Sequence, residues 1–265
     1  MKSPSEQDIR NFIVANGAVS SSDIMKAFGV SKPTAIKLLN KLACVAIGNS
    51  VSRSYTLPKP VGAVGSQWNL YRVDESENVE RIGVLHSTSA GFYLDGGYPD
   101  YPSFFGNEFK NKIFPSLPWF LFEHRPQGFV GRNIVYNLNK TFGISKELKS
   151  LGDSDILEYA VRFGGDLAGS LILGETAKAA FLAGNNFFIP ESRREDEYPE
   201  LALNAVSNGV PRSSAAGDQP KFCTTVQGKN GEFRNVIVKF SGETTNDINR
   251  RWQTCSLQNT PLCKF

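Results

Sequence analysis

The chain has 265 residues, 40% hydrophobic and 21% charged, with a net charge of +3 at neutral pH. Such a composition is globular rather than disordered, and the length suits two domains or one large body with an appendage. No run approaches the roughly 18 apolar residues of a membrane span, and two histidines, His86 and His124, leave little for histidine-based catalysis or metal binding.

The first 60 residues carry eight bases against three acids, a local charge of +5, so the remainder is −2. A basic head on a mildly acidic body implies a module with its own partner. Ser5 caps a first predicted helix with Ile9, Phe12 and Ile13 on one face and Asn16-Gly17 as its stop. Ser21 or Ser22 starts a second, carrying Ile24, Met25 and Phe28 and ending at Gly29. Ser31 caps a third, in which Pro33 falls in the tolerant first turn and Ala35, Leu38, Leu39 and Leu42 form an apolar stripe. CVAI, GNSVS and RSYTL then read as strand, turn and strand. This is the order of a winged helix-turn-helix, and LPKPVG (57–62) reads as a linker.

Beyond it, WNLYRV, RIGVLHS and GFYLD read as strands, and Gly, Pro and aromatic residues crowd positions 93–129. DSDILEYAVRF reads as a helix, and FCTTVQ, GKNGE and FRNVIVKF as a hairpin. Cys44, Cys223, Cys255 and Cys263 are scattered, which disfavours a disulfide framework or a zinc site. The N-terminus lacks a secretory pattern, so a cytoplasmic protein with no membrane partner is expected.

Two places carry chemistry. A major groove admits one α-helix and is read from its N-terminal part. That makes Lys32, Thr34 and Lys37 candidate base or phosphate contacts, with Ser31 and the helix N-terminus meeting a phosphate, Lys41 further along and Arg53 on the wing. Double-stranded DNA is the partner this implies. The alternative is a protein-interaction module whose lysines are simply solvated. The second place is SSAAGDQPKF (213–222), whose small residues allow close approach of backbone amides to a phosphate. It is followed by VIVK, with Lys239 near the end of a strand, an order similar to a protein-kinase N-lobe. A lysine at a solvated strand edge is the alternative. Glu123, His124 and Arg125 read as a structural histidine with charged neighbours, and Asp153, Asp155 and Glu158 as acids favourable to a helix start.

SSAAGDQPKF with VIVKF resembles the HipA family of bacterial serine/threonine kinase toxins, as do LPWFLFEHRPQGFVGR (117–132) and NLYRVDESENVERIGVLHS. The head resembles that of a subgroup with a fused DNA-binding domain. The resemblance implies an α+β fold: a winged helix over 1–58, a HipA-like N-terminal subdomain over 63–150, and a partial kinase-like N-lobe over 151–252. It implies ATP and magnesium as family ligands and an antitoxin as partner. Residue by residue, Ser214 matches the autophosphorylated loop serine, Gly217, Gln219 and Lys221 match loop positions around the nucleotide, and Lys239 matches the strand lysine on the phosphates. A phosphate on Ser214 would add negative charge where the nucleotide phosphates sit.

After Arg251-Trp252 the resemblance ends. Residues 253–265 (QTCSLQNTPLCKF) form an atypical tail that reads as out-of-frame translation or as a natural alternative ending. Asp247 and Asn249 match neither catalytic role, and no catalytic or metal residue is assigned. The expectation is a truncated toxin-type kinase, itself inactive and binding ATP weakly or not at all, that keeps a DNA-binding head. A non-enzymatic DNA-binding regulator and an inactive remnant are the alternatives. Val236 and Val238 are expected to lie on an uncovered face that invites self-association, with disorder beyond Phe240.

Overall fold

Three serines set the local structure of the head. The computed structural model describes residues 4–48, 53–74, 76–96, 113–125, 127, 131, 135, 139–140, 147–166, 169–184, 188–207, 221–240 and 252–256. Ser5, Ser20 and Ser31 sit in extended backbone ahead of helices α1 (Glu6–Asn16), α2 (Ser21–Phe28) and α3 (Lys32–Lys41), and each side chain accepts from the N–H three residues on. At α1 and α2, Asp8 and Asp23 return the bond to the cap's own N–H at 2.8 Å, completing a capping box. The cap of α2 is therefore Ser20 rather than Ser21 or Ser22, because only Ser20 has an acid three residues on. These bonds hold the Asp23 carboxyl below its ordinary range. Gly29, left-handed at φ 63°, closes α2 by donating to the Met25 carbonyl.

Strand β1 (Val19–Ser20), which the sequence pattern did not mark, joins β2 (Val45–Ile47) and β3 (Ser54–Thr56) in the order β1-β3-β2. Ile9, Ile13, Val19, Ile24, Ala35, Leu39, Leu42 and Leu57 share one core, with Phe12, Met25, Phe28 and Leu38 packed against it. These are largely the apolar stripes of the three helices.

The chain divides into two compact units: Met1–Leu70 with Arg81–Trp119, and Tyr71–Glu80 with Phe120–Phe265. In the first, strands β4 (Gln67–Val73), β5 (Val79–Thr88), β6 (Gly91–Gly96) and β7 (Ile113–Phe114) follow the head in the order β7-β6-β5-β4, the far ends of β4 and β5 belonging to the second unit. The segment read as a linker is built into this unit. Leu57 and Val61 are buried, the Lys59 N–H donates to the Ser87 carbonyl at 2.9 Å, and the Ser89 N–H donates to the Leu57 carbonyl at 2.8 Å. Prolines 58 and 60 lack donors, but the alternating non-proline residues supply enough backbone groups to pair with β5.

In the second unit the Val73 N–H donates to the Ser170 carbonyl at 2.8 Å, seating β8 (Leu171–Leu173) beside β4. Helices α4 (Asp153–Phe163) and α5 (Glu175–Gly184) follow the predicted and an unpredicted helical run respectively. Tyr71, Ile172, Ala177 and Phe181 form a core cluster. The last sheet comprises β9 (Phe188–Pro190), β10 (Lys221–Gln227), β11 (Phe233–Phe240) and β12 (Trp252–Ser256), in the order β12-β11-β10-β9. β9 is parallel to β10 and the other pairs are antiparallel. Helix α6 (Arg194–Ser207) contributes Tyr198, Ala202 and Ala205 to a core with Ile189, Phe222, Val226, Val236, Val238 and Phe240.

Two expectations change here. Val236 and Val238 are buried, at 4% and 0% exposure, in the core to which α6 contributes, so they form no open patch for self-association. The charged run 192–200 supplies this cover: its Arg193–Glu197 pair (2.6 Å) lies at the surface, while Tyr198 turns inward. Part of the segment beyond Phe240 is also ordered as a strand, with Trp252 to Ser256 pairing with Phe240 to Val236. Strand formation needs no helical stripe, and Trp, Thr and Cys suit a sheet.

Gly91, at φ 120°, ends the β5–β6 turn, and a Cβ there would come 2.3 Å from the Phe114 carbonyl oxygen. Gly91→Ala is expected to cost about 3 kcal/mol or more from the clash and the forced backbone. Urea denaturation of the full chain measures it; an unchanged midpoint contradicts the packing of β7 on this turn.

Candidate functional site

Helix α3 buries Ala35 and Leu39 and caps onto buried Leu42, so its opposite face carries Lys37, Asn40 and Lys41 to solvent, while Lys32 is exposed at its first position. Lys32, Lys37 and Arg53 are exposed, and among the described residues none of the three is paired with an acid. Lys41 differs, since its ammonium is ion-paired with Glu6 of α1. Thr34 is half-buried, its hydroxyl 2.9 Å from that of Ser31, and Ser31 caps the helix. Both hydroxyls are thus engaged locally, which leaves the lysines and Arg53 as the reach of this face. Asn40, an amide side chain on the same face, was not singled out from the sequence; its place three residues after Lys37 on the helix was the available signal.

The second place is one end of the terminal sheet. Lys221 of β10 and Lys239 of β11 are direct cross-strand partners, as are Cys223 and Ile237 two residues further in. Period-two alternation sends these four to the face opposite Phe222, Val236, Val238 and Phe240. Lys221 is 2% exposed and Lys239 half-buried; Cys223 and Ile237 are buried. A lysine pair beside an apolar pair fits the charge of a polyphosphate next to the flat surface of a base. Nothing in the residue pattern around Lys221 marks it as buried. Ser214, Gly217 and Gln219, with Asp247 and Asn249, lie outside the described residues. Among the described residues, no group of three or more His, Cys, Asp or Glu is placed to hold a metal ion. Cys44 and Cys223 are free thiols.

Glu123, His124 and Arg125 do not converge on a site. His124 is 2% exposed and its Nε2–H donates to the Leu171 carbonyl at 3.2 Å. Burial pushes its pKa down to about 4, so the ring is neutral at neutral pH. Arg125 pairs with Asp153 at 2.7 Å and lies over the Phe122 ring at 5.2 Å. Asp153 therefore does more than favour the start of α4: it fixes that start to the preceding segment. Among the described aromatics of the crowded region, Phe92, Tyr93, Phe114 and Phe120 are buried core residues, Trp119 is half-buried and Phe122 is exposed.

Residues 64–182 match the family model described as YjjJ-like toxin, middle domain. The chain is 24% identical over 243 residues to "Toxin YjjJ" of Escherichia coli (strain K12). That alignment covers 91% of this chain and 52% of that protein, so the chain spans about half the length of the curated relative it matches. No solved structure matches. The chain is thus similar to the YjjJ-like toxins, in agreement with the resemblance read from its motifs. No helix among the described residues is long and apolar enough to cross a membrane.

The buried histidine makes stability pH-dependent in a defined direction. Unfolded, His124 has its ordinary pKa near 6.5; folded, it stays neutral down to about 4. Between those values the unfolded chain binds the extra proton, so stability falls as pH falls through this window, by roughly 3 kcal/mol at full extent. Urea titrations at pH 7 and pH 4.5 should show the loss in the native chain and a smaller one in His124→Gln; equal slopes would contradict a neutral buried ring.

Proposed function

Taking the chain as a YjjJ-like toxin relative, we propose that its head is a winged helix-turn-helix that binds duplex DNA, and that its terminal sheet is a kinase-like N-lobe that grips nucleotide phosphates. The observation that carries the reading is the exposed trio Lys32, Lys37 and Arg53 on a head whose three helices bury their apolar stripes in one shared core. The element order helix, strand, two helices and hairpin supports α3 as the groove-entering helix and the β2–β3 hairpin as the wing. Lys32 and Lys37 act on phosphates or base edges from the first turns of α3, and Arg53 on the backbone or minor groove. Lys41, held by Glu6, contributes general positive potential rather than a direct contact.

The lysine end of the sheet supports the second half of the reading. Lys221 and Lys239 place two cations at adjacent register positions, with Ser214, Gly217 and Gln219 assigned to the loop that leads into β10. Magnesium and the acids that would hold it belong to the family's phosphoryl-transfer chemistry; the described residues supply the grip. An antitoxin is the chain's natural class of protein partner. A non-enzymatic DNA-binding regulator, in which the body only presents a protein surface, is the second reading, favoured by the ordered head.

Mobility shift against random-sequence duplex tests the first half. Replacing Lys32, Lys37 and Arg53 by Ala should weaken binding about tenfold or more and lower the slope of log affinity against log salt by roughly 0.9 per lost contact. Equal binding by the triple variant refutes it. For the second half, fluorescent ATP-analogue binding should be lost in Lys239→Ala. Binding unaffected by Lys239→Ala leaves the regulator as the better description.

A further inference from the structure

A hydroxyl group has one proton to give and two lone pairs to share. At Ser89, in the turn between β5 and β6, all three are engaged. The Ser89 hydroxyl donates to the Gly17 carbonyl just past α1 at 3.3 Å and accepts the Leu57 N–H at 3.3 Å. Its remaining lone pair faces the Thr56 hydroxyl at 3.0 Å, which makes Thr56 the donor. One side chain therefore joins the end of α1, the end of β3 and the start of the segment 57–62. The backbone repeats the tie. The Ser89 N–H donates to the Leu57 carbonyl at 2.8 Å, the Lys59 N–H donates to the Ser87 carbonyl at 2.9 Å, and Pro58 and Thr88 form a bridge between them. The turn is itself fixed, because the Thr88 hydroxyl donates to the Gly91 carbonyl at 2.7 Å and accepts the Ala90 N–H at 3.2 Å. Thr56, Leu57, Val61, Ser87 and Thr88 are all buried.

A linker between mobile modules leaves its backbone in water and carries few contacts. The segment 57–62 does the reverse. Leu57 belongs to the core of the head, with Ile9, Ile13 and Leu39, while its N–H and carbonyl are both bonded to Ser89 of the hairpin. Swinging the head away would break the three hydroxyl bonds and the backbone bonds together, and would leave buried polar groups such as Thr56 without partners. We infer that the head is latched to the β5–β6 hairpin and moves with it as one rigid body, with the Ser89 hydroxyl as the latch. The inference is independent of the DNA reading. Whatever α3 holds stands at a fixed angle to the hairpin instead of riding on a mobile arm.

Nitrogen-15 relaxation of the full-length chain reads the motion directly. Amides of α1, α2 and α3 should report the same rotational correlation time as those of β5 and β6. Head amides that tumble faster than hairpin amides overturn the rigid body. Hydrogen exchange then tests the latch. In Ser89→Ala the Leu57 amide loses its acceptor and should exchange about tenfold faster or more, with Ile13 and Leu39, inside the helices, keeping their native rates. Thr56→Val keeps the side-chain volume and removes one bond to the same hydroxyl; it should speed the Leu57 amide about threefold and reads the latch even where Ser89→Ala unfolds the head. Native exchange at Leu57 in a folded Ser89→Ala chain, or in Thr56→Val, overturns Ser89 as the latch.

Discussion

The register of β10 against β11 is the constraint on which the terminal half of the molecule depends. With Phe222 opposite Val238 and Lys221 opposite Lys239, alternation sends Phe222, Val226, Val236, Val238 and Phe240 toward the core shared with α6, and both lysines with Cys223 and Ile237 to the other face. A slip of one residue would turn one strand over, carrying its lysine into that core. The turn fixes the register: the Gly228 N–H donates to the Glu232 carbonyl at 2.8 Å, the Gly231 N–H to the Gly228 carbonyl at 3.0 Å, and Gly231 takes φ 83°. GKNGE thus does more than connect two strands. It decides which side of the sheet is apolar and which side is cationic.

The head and the hairpin were legible because their signals are local. A serine cap, an acid three residues on and an apolar stripe at helical spacing all act within one or two turns, so α1, α2 and α3 could be read from the chain directly. FCTTVQ and FRNVIVKF alternate around a glycine turn and could be read likewise. What could not be read is what touches what. The proline-rich stretch 57–62 has linker composition, but two backbone hydrogen bonds and buried Leu57 and Val61 turn it into part of a packed unit. β1 and β9 are two and three residues long, below the length at which alternation is visible. Helix α6 has an acidic first turn and an internal Pro199, so its inward residues Tyr198, Ala202 and Ala205 are diluted among charges.

The same limit explains the two expectations about the end of the chain. Val236 and Val238 are covered by an element that precedes them in the chain, α6, which shares their core. The strand at Trp252–Ser256 has only one aromatic residue and no apolar alternation to mark it in the sequence. As a sheet partner the segment needs only β-tolerant residues, and it pairs with β11 along five positions from Phe240 back to Val236. Its effect is to remove β11 from the sheet edge, where unpaired N–H and C=O groups would otherwise face outward.

The two basic places of the molecule work under different physics. Lys32, Lys37 and Arg53 stand in water, where a Debye length of about 8 Å at physiological salt limits their reach and makes any DNA contact strongly salt-dependent. Lys221 is buried and Lys239 half-buried, at a sheet end where counterions screen them far less. An anion taken there must be stripped of water and fitted between fixed groups, which demands a defined shape; an anion met by the head needs only a row of charges at the right pitch. A rigid sheet register would suit the first task and exposed side chains the second. The fold therefore keeps one pair of lysines in a sheet and another set of basic residues in water, and ionic strength is the variable that would distinguish them.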